Sequence, residues 1–161
     1  MLIKTPLVMA IFRVLTLAVF AQAPAATPEQ LEEGKKLYMT VCIACHQPMG
    51  AGLPGVFPSI VKSEYVSGSA ERLVAMVLKG IMPPFKYKDI VYVQMMIPQE
   101  AVLTDDKIAA ILTFVRASFE NSAPPITAEF VAGVRKKLAH RKTPYTEAEI
   151  NGWKDDAAPA K

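Results

Sequence analysis

Cys42-Ile43-Ala44-Cys45-His46 holds both cysteines of this 161-residue chain and one of its two histidines. Two cysteines separated by two residues, with histidine directly after the second, form the attachment pattern of c-type haem. Each residue has a chemical task. The thiols add to the two vinyl groups of the porphyrin and become thioethers. The two-residue spacer lets one helical turn present both sulfurs to the same ring edge. The histidine is then placed to ligate iron through a ring nitrogen. Competing chemistries fit less well. A redox-active Cys-x-x-Cys pair belongs at the end of a strand in an α/β fold, and the sequence carries no such strand pattern. A structural zinc site needs four ligands, and beyond the motif only His140 remains. A disulfide between residues this close would close a very short loop and stabilise little.

The length predicts one domain with additions. The formal charge is +3, with no basic or acidic block, which argues against a nucleic-acid partner. Between residues 27 and 121 acidic and basic side chains nearly cancel, so strong charge steering of a protein partner is not expected. Attaching haem uses both cysteines and leaves no structural disulfide and no free thiol. Most of the 13 prolines fall in connections, as suits a small helical domain whose long loops wrap a cofactor.

Upstream of the motif, residues 27–41 read as a helix. Thr27 suits the N-cap, Pro28 the first helical position, and Glu29 and Gln30 the first turn. Leu31, Gly34, Leu37, Tyr38 and Val41 share one face. Gly34 costs such a helix up to ~1 kcal/mol against alanine, which points to close approach of another helix. Downstream, residues 47–62 carry Gly50, Gly52, Pro54, Gly55 and Pro58 and read as a loop. Residues 70–79 read as a second helix, capped by Ser69 and ended by Gly80. Residues 81–103 read as a long irregular stretch. Residues 104–120 are the clearest helix: Thr104 caps it, Asp105 and Asp106 face its positive end, and Ile108, Ile111, Leu112, Val115 and Phe119 repeat at helical spacing.

These boundaries give a haem domain over 29–121, a linker over 122–126, a helical extension over 127–154 and a disordered tail over 155–161. In the extension, Phe130, Val131, Val134 and Leu138 mark one amphipathic helix, with Phe130, Val134 and Leu138 stacked at intervals of four. Thr146 and Glu149 suit a capping box for a second, short helix, with Trp153 just beyond. A helix of about thirteen residues is marginal alone in water, so its apolar stripe needs a surface. The short linker favours the protein's own haem domain over a partner.

The start of the chain reads as a secretory leader. Lys4 and Arg13 are positive, residues 14–21 form a short apolar run, and Val19-Phe20-Ala21 offers a cleavage point. Cleavage after Ala21 leaves 22–28 as a linker. Arg13 keeps the run short of the ~20 residues a membrane span needs, so no stable membrane insertion is expected after cleavage. A start at Met9 would give a more ordinary leader.

Two short helices, a haem motif, a long methionine-bearing loop and a final helix resemble a class I cytochrome c. Closer still, the chain is similar to small exported mono-haem cytochromes that accompany dehydrogenases in planctomycete-like and verrucomicrobium-like bacteria. The residues that carry this are Gly34, Tyr38, the motif through Gln47, Gly50-Ala51-Gly52, Phe57-Pro58, Leu78-Lys79-Gly80, Tyr92 with Met96, and the run from Leu103 to Arg116. One departure is Glu120, where the family often has glycine before Asn121. The resemblance implies an all-α fold, few helices and long loops around one covalent haem c, here with a C-terminal helical extension.

His46 supplies one axial ligand. The second should be a soft or imidazole donor from the irregular stretch; Met82, Met95 and Met96 are candidates, and His140 is a remote fourth. The resemblance places a tyrosine four residues before the ligand, as Tyr92 stands before Met96, and Tyr92 counts with the cofactor-binding residues on that basis. It also places the ligand just before the final helix, which favours Met96 over Met82. The family's proline directly after the ligand is here Ile97. Neighbouring side chains of an extended segment point opposite ways, so Met95 and Met96 are alternatives, not a pair. Met39, Met49 and Met76 read as core filler. A ligating histidine donates its other ring N–H to a carbonyl or carboxylate, and the resemblance assigns that acceptor to Pro58. Arg72 is a lesser candidate for holding a haem propionate.

The function this implies is single-electron transfer between exported redox proteins, a dehydrogenase as donor and a terminal oxidase as acceptor. The protein is expected to be periplasmic, monomeric and not an enzyme. If no methionine reached the iron, a haem enzyme or gas sensor with an open iron position would be the alternative.

Overall fold

The computed structural model describes residues 25–154. The expected leader, residues 22–24 of the expected linker and the 155–161 tail lie outside the described residues.

Helix α1 runs Pro28–Val41. The Thr27 hydroxyl accepts from the Gln30 amide, and the Gln30 side chain accepts from the Thr27 amide. Two orphan donors of the helix start are thereby satisfied reciprocally. Helix α2, Ile43–His46, is a single turn that begins after Cys42. Helix α5, Asp105–Arg116, packs across α1. The two backbones meet at Gly34, where an added Cβ would lie 2.1 Å from the Ala110 carbonyl oxygen and 2.7 Å from Phe114 Cβ. Gly34→Ala is expected to lower stability by about 2 kcal/mol or more, because overpacking against backbone outweighs the ~1 kcal/mol gain in helix propensity. Thermal unfolding of the haem-loaded protein measures this; an unchanged melting temperature would mean that the crossing relaxes freely.

Helix α4, Ala70–Lys79, buries Leu73, Val74 and Leu78 and is capped by the Ser69 hydroxyl. Helix α3, Glu64–Ser67, is a single turn capped by Ser63 that the periodicity of so short a segment could not reveal.

The 81–103 stretch contains a regular element that the sequence reading left out. Strands β1, Phe85–Tyr87, and β2, Ile90–Tyr92, pair antiparallel with Phe85 opposite Tyr92. The turn residues Lys88 and Asp89 have φ of 47° and 62°, the mirror-image turn whose twist suits a hairpin. That turn lacks the usual asparagine or glycine, which hid it. Phe85, Tyr87 and Tyr92 point into the core. The architecture is mostly helical, as expected, with one small two-stranded hairpin added.

Helix α5 also ends four residues earlier than expected. Phe119 and Glu120 adopt φ of 54° and 58°, a left-handed conformation that costs a non-glycine residue roughly 1–2 kcal/mol. This is the physical reason glycine suits position 120. Buried Asn121 then stitches the turn: its Nδ2 donates to the Ile60 and Val115 carbonyls, and its Oδ1 accepts from the Ser63 amide.

Residues 122–126 are not a free tether. Ile126 is buried, its amide donates to the Thr113 hydroxyl, and that hydroxyl donates to the Ile126 carbonyl. Helix α6, Ala128–Lys137, packs on α5 and α4. Val131, Val134 and Leu138 are buried and Phe130 is half-buried, so the buried stripe is rotated from the Phe130–Val134–Leu138 line. Helix α7, Glu147–Asn151, keeps the Thr146–Glu149 capping box, and Trp153 meets Tyr145 edge-on. The extension thus packs on α4 and α5 of the same chain.

Candidate haem site

A cavity of about 220 Å³ gathers residues from the motif, the loop that follows it and the segment after the hairpin. Cys42, Cys45 and His46 line it together. The His46 amide donates to the Cys42 carbonyl at 2.9 Å, so one turn of helix carries both sulfurs and the imidazole to the same space. Pro58, Tyr92, Met95 and Met96 also line this cavity, whereas Met82 and His140 do not. The rest of the wall is mostly apolar and includes Leu73, Ile108 and Leu112.

His46 Nδ1 lies 3.0 Å from the Pro58 carbonyl oxygen. A carbonyl only accepts, so Nδ1 carries the proton and Nε2 keeps its lone pair. Burial lowers the His46 pKa, and the bond to Pro58 opposes that more weakly. The neutral imidazole is the form that a metal requires. The loop is drawn around the histidine by backbone bonds, the Gly52 amide donating to the His46 carbonyl and the Ile60 amide to the Gly50 carbonyl. Buried Tyr38 donates its hydroxyl to the Gln47 carbonyl at 2.6 Å, which secures the end of the motif turn. Burial, with a smaller contribution from nearby Cys45, pushes the Cys42 thiol up to about 11.

The methionines differ in their surroundings. Met96 is half-buried, packs against the core and exchanges both backbone hydrogen bonds with Ile81. Met95 is 43% exposed and Met82 39% exposed. Of the three methionines read as core filler only Met76 is buried; Met39, on α1, and Met49, in the loop after the motif, stand on the surface. Arg72 does not line the cavity. Its guanidinium lies 4.8 Å above the Tyr65 ring and donates to the Glu64 carbonyl.

Tyr87 is a cavity residue that the sequence reading missed. Its hydroxyl bonds Ser63 Oγ at 3.2 Å and donates to the Glu64 carboxylate at 2.9 Å, and burial raises its pKa, keeping the phenol protonated. The alternation of Phe85, Lys86 and Tyr87 was the signal that would have found it.

Two thiols, a neutral imidazole and a thioether within one apolar cavity are the donor set of a covalently held porphyrin. Among the described residues no cluster of three or more His, Cys, Asp or Glu could hold a bare metal ion instead. The residues present fit haem c.

Residues 29–115 match the family model described as cytochrome c oxidase, cbb3-type, subunit III. The chain belongs to the cytochrome c family. It is similar to cytochrome c-552 of Thermus thermophilus, 32% identical over 126 residues that cover 68% of this chain and 95% of that protein. It is also similar to the fructose dehydrogenase cytochrome subunit of Gluconobacter japonicus, 31% identical over 122 residues, of whose length this chain spans only 23%. As a member of this family the cytochrome is an electron-transfer protein with covalently bound haem c. Its helices and small hairpin form the small class I cytochrome fold. No helix among the described residues is long and apolar enough to cross a membrane.

Proposed function

We propose that this cytochrome is an exported, monomeric carrier of single electrons with one haem, whose iron lies between His46 and Met96. The observation that carries this reading is the convergence of both cysteines, His46 and Met96 on one cavity, with His46 Nδ1 committed to Pro58. When bound, the haem supplies the one-electron couple. Cys42 and Cys45 tether it, Pro58 orients the imidazole, and buried Tyr92 backs the ligand segment. The single Cys-x-x-Cys-His motif supports one haem. Met96 is preferred to Met95 because it is turned toward the core and its backbone is fixed, and to Met82 because Met82 lies outside the cavity lining. A methionine sulfur favours ferrous iron and raises the potential, and two protein ligands leave no open position for a substrate.

In this reading the haem domain spans 29–121, with 127–154 as its accessory. The donor and acceptor are periplasmic redox proteins. A relative named as the cytochrome subunit of fructose dehydrogenase supports a dehydrogenase as donor, and a family model named for an oxidase subunit supports a terminal oxidase as acceptor.

Expression in a host with haem-attachment machinery tests the reading. The intact mass should exceed the mature polypeptide by one haem, and the ferric spectrum should be low-spin. A five-coordinate high-spin spectrum would instead support a haem enzyme or sensor with an open iron position.

A further inference from the structure

Between Met96 and α5, Leu103 is buried in the core, but Ile97 is 67% exposed and Val102 is 70% exposed, so apolar burial anchors the segment only at its end. Polar tethers hold the rest, and several come from the C-terminal extension.

The first tether is a three-stranded contact centred on Ile81. On one side Ile81 pairs antiparallel with Met96, each amide donating to the other's carbonyl at 3.1 and 3.0 Å. On its other side Ile81 pairs in parallel with Tyr145 of the extension. The Tyr145 amide donates to the Gly80 carbonyl at 3.0 Å, and the Met82 amide to the Tyr145 carbonyl at 2.8 Å. Gly80 permits the close approach, since a Cβ there would lie 2.2 Å from the Met96 carbonyl oxygen. The second tether is Arg135 of α6. Its guanidinium donates to the Glu100 carbonyl at 2.7 Å, to the Leu103 carbonyl at 2.9 Å and to the Asp105 carboxylate at 2.7 Å. The third is Lys79, buried to 3% exposure. Its ammonium donates to the Glu100 carboxylate at 2.6 Å and to the Arg141 carbonyl at 2.9 Å. A buried cation requires such partners, and these come from the loop on one side and the extension on the other.

We propose that the C-terminal extension is a clamp for the Met96 segment, acting through Arg135 and the Tyr145 strand, and that it sets how firmly the sulfur ligand is held on ferric iron. The proposal rests on the assignment of Met96 as ligand. A thioether is a neutral donor that favours ferrous iron. In the ferric state its bond competes with water and hydroxide, so freedom of the loop translates into ligand loss. Arg135 and Tyr145 are positioning residues in this scheme; neither lines the haem cavity.

The test compares full-length holoprotein with R135Q, R135K and a chain ending after Ala139, which keeps α6 but removes the Tyr145 strand and the Arg141 carbonyl. Three quantities are followed: the sulfur-to-iron charge-transfer absorption of ferric protein as pH and denaturant rise, the reduction potential, and global unfolding by far-ultraviolet circular dichroism. Losing three charge-assisted hydrogen bonds should raise the ferric population without sulfur ligation by about tenfold or more in R135Q. The R135K effect should be smaller but of the same sign, because one ammonium cannot replace a guanidinium fork. In R135Q and the shortened chain, ligand loss should precede global unfolding and the potential should fall. If the absorption is unaffected in these variants, or disappears only together with global unfolding, the extension merely adds stability and the clamp is refuted. If the unaltered protein shows no such absorption, or shows it undiminished in M96A, the ligand assignment fails and the clamp falls with it.

Discussion

The double variant Cys42→Ala/Cys45→Ala should carry no covalently attached haem, and each single variant should keep at most one thioether. The reason is chemical first. The two thiols are the only cysteines in the chain, so no other sulfur can take over the addition to a vinyl group. It is also energetic. The cavity lined by Cys42, Cys45 and His46 has a volume of about 220 Å³ and mostly apolar walls. At ~24 cal/mol per Å³, leaving it unfilled costs on the order of 5 kcal/mol. That is comparable with the whole net stability of a small domain. The double variant should therefore fold poorly as well as lack colour after acid–acetone extraction. Intact-mass spectrometry and far-ultraviolet circular dichroism read both effects. Retention of a full haem mass by the double variant would remove the motif from the attachment chemistry.

Met96→Ala should convert the ferric spectrum from low-spin to high-spin or water-ligated and lower the reduction potential by on the order of 0.1 V or more, within the ~0.8 V range that axial ligands span. The direction follows from losing a sulfur donor that favours ferrous iron. Stability should fall as well, by about 2 kcal/mol, because Met96 packs against the core and its truncation leaves a gap there. Met82→Ala is the control. Met82 is 39% exposed and does not line the cavity, so its removal should leave spectrum and potential nearly unchanged. A spectral change in Met82→Ala with none in Met96→Ala would reverse the ligand assignment. A change only in Met95→Ala would shift it by one residue.

Acidification probes the extension from a third side. Glu149 accepts from the Arg141 guanidinium and from the Thr146 amide, and these bonds, Arg141 first, lower its pKa to about 2. Its folded value lies below the ordinary carboxylate range. The pair therefore contributes its stability above about pH 4.5 and loses it as pH falls toward about 2. Glu149→Gln should flatten this part of the stability profile. The effect should be small, because the side chain is 43% exposed.

Much of the site was legible because its signals are local. Cys-x-x-Cys-His is a single helical turn, so the chemistry and the geometry are written in five adjacent residues. The start of α1 was legible for the same reason: Thr27, Pro28 and Gln30 act on amides within one turn. Gly34 is the informative exception. A glycine in mid-helix revealed a close neighbour, though not that the neighbour is Ala110. The resemblance directed attention to Pro58 and Met96, which spacing alone would not have separated from other prolines and methionines.

Sequence by itself determined the haem motif, the helix starts and the presence of an amphipathic extension, because caps, periodicity and short motifs depend on residues a few positions apart. Tertiary structure decided the rest. The hairpin turn at Lys88-Asp89 lacks glycine, and packing of Phe85, Tyr87 and Tyr92 stabilises a conformation that local preference disfavours. The end of α5 was set by Asn121, whose partners Ile60 and Ser63 lie far upstream. That Phe130 is only half-buried while Val131, Val134 and Leu138 are buried was set by the surface of α4 and α5. The bonds from Lys79 to Glu100 and Arg141, and from Arg135 to Glu100, span 21 to 62 residues of chain. No pattern within one element encodes such pairs, because a buried cation finds its partners only after the helices that surround it have packed.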